Sequence, residues 1–275
     1  MSAGAAIAGE VLLVGCGKMG GALLEGWLER GSAERFTVVE PAGPAPAFAG
    51  RSGIEWVADA AALAGRRPPA VIVFAVKPQV MGDVVPHYAG LLGPETVALS
   101  IAAGKTLGYF ARHLGGEAKL VRAMPNTPAA IGRGITVACA NRRAGAAEIA
   151  RCDALLSAVG EVAWVEDEGL IDAVTAVSGS GPAYVFLLIE CLAAAGAAAG
   201  LPEELATRLA RATVAGAGEL ARRSGESAAT LRRNVTSPGG TTQAALDVLM
   251  APDGLASLLR AAVAAAARRS RELAD

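Results

Sequence analysis

A chain of 275 residues with 53% hydrophobic and 19% charged residues can bury a substantial core and has room for two domains. Its formal net charge of −1 gives no global attraction to nucleic acid or an anionic membrane surface, so the expected partner is a small molecule. The four cysteines, Cys16, Cys139, Cys152 and Cys191, show no C-x-x-C spacing and have no histidine nearby; this argues against a zinc cluster or disulfide framework and favours a reducing cytoplasm.

In chain order, Met1–Gly9 lacks a basic flank and runs into Val11-Leu12-Leu13-Val14, so it reads as the approach to a buried strand and not as a secretory leader. Strand candidates lie at 10–14, 35–39, 70–76, 95–101, 118–123, 134–139 and 161–165, with helical periodicity at 19–30 and 144–158. That alternation predicts a parallel, doubly wound sheet of Rossmann type. From about 167 the texture changes. Residues 183–199, 203–223, 242–250 and 254–273 are rich in Ala, Leu, Arg and Glu, with no strand-like run between them. The chain therefore reads as an α/β domain over 1–165 followed by an all-α domain over 166–275. The apolar tracts are interrupted by Arg, Glu, Gly or Pro, short of the roughly 20 residues a membrane span needs, and no membrane role is expected. Several helices of the second half carry more apolar surface than a lone monomer hides, which implies burial against another subunit.

The first motif, Gly15-Cys16-Gly17-Lys18-Met19-Gly20, follows the first strand and opens a helix. A dinucleotide site needs a tight turn there, close approach of the pyrophosphate to backbone, and N–H groups aimed at negative charge. A plain glycine-rich turn has the same spacing, and position at the head of a long alternating pattern favours the nucleotide. Glu40 ends the second strand, where a carboxylate bonds ribose hydroxyls and repels a 2′-phosphate; an ordinary surface glutamate reads the same way. Residues 41–50 hold no Arg or Lys, although Arg51 can fold back, so NADH is favoured by that rule. Ala75-Val76-Lys77-Pro78-Gln79, Ser100-Ile101-Ala102-Ala103-Gly104 and Met124-Pro125-Asn126-Thr127-Pro128 each break a strand where such a sheet binds its ligands. Lys77 offers a donor to a ribose or a carboxylate, and Asn126 suits a carboxamide.

The helical half carries two glycine-rich patches, Ser178-Gly179-Ser180-Gly181-Pro182 and Thr236-Ser237-Pro238-Gly239-Gly240-Thr241-Thr242, each before a helix. The second offers consecutive N–H groups and hydroxyls, a seat for a carboxylate. The only histidines, His87 and His113, belong to no motif, and all four lysines precede the helical half. An alcohol dehydrogenation needs a proton carrier at the carbinol oxygen. Reduction of a basic C=N bond is less demanding, so the inventory tilts toward an imine.

The run from Val174 to Tyr184, the Thr236–Thr242 patch, Ala75–Gln79 and Arg122-Ala123-Met124-Pro125-Asn126-Thr127-Pro128 closely resemble the signature of pyrroline-5-carboxylate reductases. The resemblance extends in order from about residue 10 to 273. It implies a nicotinamide domain bearing Gly15, Cys16, Gly17, Lys18, Met19, Gly20, Glu40, Ala75, Val76, Lys77, Pro78, Ala102 and Asn126 at the cofactor, with Asn234 near the nicotinamide. It further implies a helical dimerisation domain, an active site completed by a neighbouring subunit, and dimers that commonly assemble into decamers. Thr242 then faces the imine nitrogen, and Ser237, Gly240 and Thr241 join it in holding the substrate through its carboxylate. NADPH or NADH is the implied cofactor and a cyclic imino acid the implied substrate. Ala228 departs from the family, which often has Pro there, and the loop after Glu40 is not typical of an NADP binder.

Overall fold

The computed structural model describes residues 6–273, so the first five residues of the segment read as strand approach lie outside the described residues. The chain forms two compact units, one comprising Met1–Gly179 with Ala267–Asp275 and the other Ser180–Ala266.

Among the described residues the first unit is built on eight strands: β1 (Ile7–Val14), β2 (Ala33–Val39), β3 (Ile54–Val57), β4 (Val71–Phe74), β5 (Val97–Ser100), β6 (Lys119–Met124), β7 (Gly134–Ala140) and β8 (Gly160–Trp164). They lie in the order β3-β2-β1-β4-β5-β6-β7-β8. Pairing is parallel except between β6 and β7, which run antiparallel with Arg122 opposite Cys139. The expectation of a wholly parallel sheet is corrected at that pair. β7 begins only ten residues after β6 ends, and a parallel crossover needs about a dozen or more. The central strands β4 and β5 are buried at every position, as unbroken apolar runs covered on both faces must be.

Helices α1 (Lys18–Arg30), α2 (Met81–Val84), α3 (Leu107–Leu114) and α4 (Ala146–Leu156) accompany the sheet. On one face Leu23, Leu24 and Trp27 of α1 pack with Leu155 and Leu156 of α4. The Trp27 indole N–H donates to the Leu155 carbonyl at 2.8 Å, so this large side chain is buried with its polar atom satisfied. On the other face Phe74 packs edge-on to Tyr88 and against Phe110 of α3. Both cores grip the strand interiors, which leaves the carboxyl-end loops free to carry chemistry.

After β8 come α5 (Leu170–Val174) and a π-helical turn over Thr175–Gly179. Ile171 packs with Val137 and Cys139 of β7, so this stretch belongs to the sheet unit although the sequence reads it as part of the helical half. The remaining helices are α6 (Gly181–Ala198), α7 (Glu203–Arg223), α8 (Ala228–Asn234), α9 (Thr241–Leu249) and α10 (Leu255–Leu273). Within the second unit α6 and α7 meet through small residues, with the Gly196 Cβ position 3.3 Å from Ala206 Cβ. No residue of α6 is buried, and Val185, Phe186, Leu187, Leu188 and Leu192 are exposed. Taken as one run across the bend at Ser180, Leu170–Ala198 is long and apolar enough by length and composition alone to span a membrane. Within it, the Ser178–Pro182 patch breaks the helical run at Ser180, between the π-helical turn and α6.

Candidate active site

The three fingerprint glycines do three different jobs, and the structure separates them. Gly15 follows β1 with φ +91, a left-handed conformation costly for any side chain, and a Cβ there would stand 2.6 Å from Val76 Cγ1. Gly20 has a forbidding neighbour instead: a Cβ would sit 2.4 Å from the Gly15 carbonyl oxygen and 3.2 Å from Ala75 Cβ. Gly17 is extended, at φ −69 and ψ −166, and a Cβ built on it meets nothing within 4 Å. Its glycine is therefore not required by the fold; the space a side chain would fill is open for a ligand. The first α1 bond runs from Gly21 N–H to the Gly17 carbonyl at 2.7 Å, so the N–H groups of Lys18, Met19 and Gly20 precede it and face the loop mouth. Turn, open approach and close helix packing are the three demands a pyrophosphate makes of such a loop.

The neighbouring loops are stitched to this one. Gly15 N–H donates to Val39 at 2.9 Å and Ala75 N–H to Val14 at 2.8 Å, which draws the ends of β1, β2 and β4 into one rim. Glu40 stands at the end of β2, its Oε2 accepting from Cys16 N–H at 2.9 Å. Half-burial, and then the nearby Glu40 carboxylate, push the Cys16 thiol up to about 11, so it stays protonated and unreactive near neutrality. Lys77 is exposed ahead of a short turn opened by Pro78. Ala102 is buried after β5, with its N–H on Ser100 Oγ at 3.2 Å. Asn126 is pinned by Ile135 N–H donating to its Oδ1 at 3.0 Å, which leaves its Nδ2 donors for a ligand.

In the second unit, Thr236–Gly240 makes a closed turn before α9. Gly240 N–H bonds the Ser237 carbonyl at 3.0 Å, and Gly239 takes φ +69. The first helical bond runs from Ala244 N–H to the Gly240 carbonyl, so the N–H groups of Thr241, Thr242 and Gln243 precede it. Among the described residues no hydrogen bond engages the hydroxyls of Ser237, Thr241 or Thr242. Backbone donors and free hydroxyls thus converge at the positive end of a nine-residue helix. Asn234 ends α8, where its Nδ2 donates to Glu226 at 3.2 Å. The Ser178–Pro182 patch spans the end of the π turn, a bend at Ser180 and the first residues of α6, with a Gly179 Cβ position 2.6 Å from Met124 Cε.

Sequence reasoning gave no role to the Arg122–Glu168 pair. The Arg122 Nη1 donates to Glu168 Oε1 at 2.8 Å, and the same oxygen accepts from Leu107 N–H at 2.8 Å. Arg122 is only 4% exposed at its side chain and ties β6 to the segment leading into α5. A lone arginine in the buried strand Lys119–Met124 was the available signal, since such a charge needs a partner.

The switch-point rim and the open glycine turn place the protein in the class of dinucleotide-binding α/β proteins, here with a helical second unit. Comparison with known proteins agrees: a family described as "NADP oxidoreductase coenzyme F420-dependent" matches residues 10–104, and one described as "Pyrroline-5-carboxylate reductase dimerisation" matches 168–273. The chain is 41% identical over 269 residues to the pyrroline-5-carboxylate reductase of Pseudomonas aeruginosa, covering 97% of each. It is 47% identical over 203 residues to that of Synechocystis, covering 74% of each. Among solved structures, a pyrroline-5-carboxylate reductase from Coxiella burnetii is 33% identical with a TM-score of 0.89, covering 97% of this chain and 99% of the other. The Plasmodium falciparum enzyme, solved with NADP bound, is 29% identical with a TM-score of 0.82, covering 97% and 98%. The chain belongs to the pyrroline-5-carboxylate reductase family.

Proposed function

We propose that this chain is the NAD(P)H-dependent reductase that converts 1-pyrroline-5-carboxylate to L-proline, the last step of proline biosynthesis. The observation that carries this reading is likeness to the Pseudomonas enzyme over 97% of both chains, with the hydroxyl-rich turn Ser237–Thr242 intact at the start of α9.

The nicotinamide cofactor supplies the hydride for the imine carbon. What the chain supplies is binding and orientation. Gly15–Gly20 seat the pyrophosphate at the start of α1; Glu40, Ala75–Pro78, Ala102 and Asn126 line the rest of the nucleotide path, and Asn234 is assigned to the nicotinamide by the family resemblance. Ser237, Gly240 and Thr241 hold the substrate carboxylate, through the N–H groups and hydroxyls that α9 leaves unpaired. Thr242 places its hydroxyl at the imine nitrogen, which gains a proton as the adjacent carbon is reduced. A neutral hydroxyl suffices because that nitrogen is basic.

The exposed apolar face of α6 supports self-association as a dimer built through the helical unit; assembly of such dimers into a decamer rests on the family resemblance. An apolar face of this kind fits a second copy better than a bilayer, since α7 packs along the same helix in the chain itself. The net charge of −1 gives nucleic acid no purchase, and a reducing cytoplasm is the compartment proposed. The test is product analysis: the purified chain with NAD(P)H and pyrroline-5-carboxylate yields proline in step with nucleotide oxidised. Folded, nucleotide-binding protein that forms no proline would overturn the assignment.

A further inference from the structure

Glu40 sits where the two nicotinamide dinucleotides differ. Resting on the nucleotide site proposed above, we infer that its fixed carboxylate makes this chain selective for NADH over NADPH. Backbone donors hold the side chain: Cys16 N–H at 2.9 Å on Oε2 and Ala42 N–H at 3.4 Å on Oε1. The Glu40 N–H is itself bonded to the Val57 carbonyl at 3.0 Å. The negative charge therefore stands at the rim between β1 and β2, beside the glycine turn, where the adenine ribose of a nucleotide lying on that turn belongs.

A carboxylate there accepts hydrogen bonds from the two ribose hydroxyls of NADH. The 2′-phosphate of NADPH brings negative charge and no compensating donor. Cations to offset it are missing from the loop, because residues 41–50 contain none. The nearest cation beyond it, Arg51, is turned away: its Nη1 donates to Glu25 of α1 at 2.7 Å and its guanidinium lies 5.8 Å from the Phe48 ring centre. Lys18 opens α1 on the glycine turn, beside the pyrophosphate seat that both nucleotides share. The Plasmodium relative carries NADP, so the family includes members that accept the phosphate.

The test is calorimetric titration of the folded, full-length protein with NADH and NADPH separately. Wild type is expected to bind NADH on the order of 10- to 100-fold more tightly, from charge repulsion at a partly solvated site. Glu40→Gln keeps an acceptor for Cys16 N–H and removes the charge, and should bring the two affinities within about threefold, mainly by improving NADPH. Arg51→Ala should leave the ratio where it was. Equal or tighter NADPH binding by wild type, or an unchanged ratio in a folded Glu40→Gln protein, would overturn the inference. So would loss of NADPH binding in Arg51→Ala, which would make that side chain a phosphate clamp. A folded wild type that binds neither nucleotide would instead remove the proposed nucleotide site itself.

Discussion

The same substitution at two glycines of one turn should have opposite consequences. At Gly17 the backbone is extended at φ −69 and a Cβ meets nothing within 4 Å, so Gly17→Val should fold. Its cost is limited to a weaker N-cap, about 0.5–1 kcal/mol, or roughly 1–4 °C in melting temperature. The ligand bears the rest. A valine there fills the approach to the Lys18–Gly20 N–H groups, and losing two charge-assisted hydrogen bonds at 1.5–3 kcal/mol each weakens nucleotide binding by at least about 100-fold. At Gly20 a Cβ would lie 2.4 Å from the Gly15 carbonyl oxygen, backbone that cannot yield without moving α1 off the sheet. Overpacking of this kind costs about 3 kcal/mol, so Gly20→Val should melt on the order of 6–12 °C lower. Thermal melts with parallel NADH titrations read both effects. A folded Gly17→Val protein with unchanged nucleotide affinity would refute the reading of the turn, and so would a Gly20→Val protein as stable as wild type.

Thr242→Val keeps shape and removes a hydroxyl, and should lower kcat roughly 5- to 150-fold, the value of one hydrogen bond made chiefly in the transition state. Ser237→Ala should chiefly raise KM for the imino acid; wild-type turnover in Thr242→Val would remove that residue from the mechanism. Light scattering should find at least a dimer, and Leu187→Glu on the exposed face of α6 should dissociate it; a fully active monomer at assay dilution would contradict the role given to that face. Glu168→Ala leaves the buried Arg122 guanidinium unpaired and should cost about 2–3 kcal/mol by denaturant unfolding, less than a fully buried pair because Glu168 is 30% exposed at its side chain. Cys16 and Cys139 are both raised to about 11 and Tyr88 to about 12, each chiefly by burial. The unfolded chain therefore ionises these groups first, and stability should be level near neutrality and fall as pH rises from about 9 toward 11; a melting temperature that climbs over that interval would contradict the burial of these groups.

Apolar β-branched runs made the central strands legible, because β4 and β5 are covered on both faces and read as unbroken hydrophobic segments. β3 was missed: Ile-Glu-Trp-Val is four residues long, sits at the sheet edge and is only half buried, so neither length nor periodicity marks it. The antiparallel turn into β7 was legible in principle, since the link from Met124 to Gly134 is too short for a crossover. The seven-residue α8 lacks an apolar stripe, and none of its residues is buried. Within the proposed site, the fingerprint glycines could be located by spacing, yet their division of labour needed coordinates. Gly15 and Gly20 answer to backbone strain and contact, Gly17 to open space. The Glu40 bond to Cys16 N–H joins residues 24 apart and the Asn126 bond to Ile135 N–H joins residues nine apart across the β6–β7 link, and no local periodicity encodes either.

The most direct test follows the transferred hydrogen. Nucleotide carrying deuterium at both C4 positions of its reduced nicotinamide ring is oxidised by the purified protein in the presence of pyrroline-5-carboxylate, and the proline is examined by NMR. One deuterium is expected on the ring carbon that is bonded to nitrogen and does not bear the carboxylate, in equal amount to the nucleotide consumed. Nucleotide oxidised with a hydroxyacid couple but not with pyrroline-5-carboxylate, or proline formed without deuterium at that carbon, would contradict reduction of this imine by this chain.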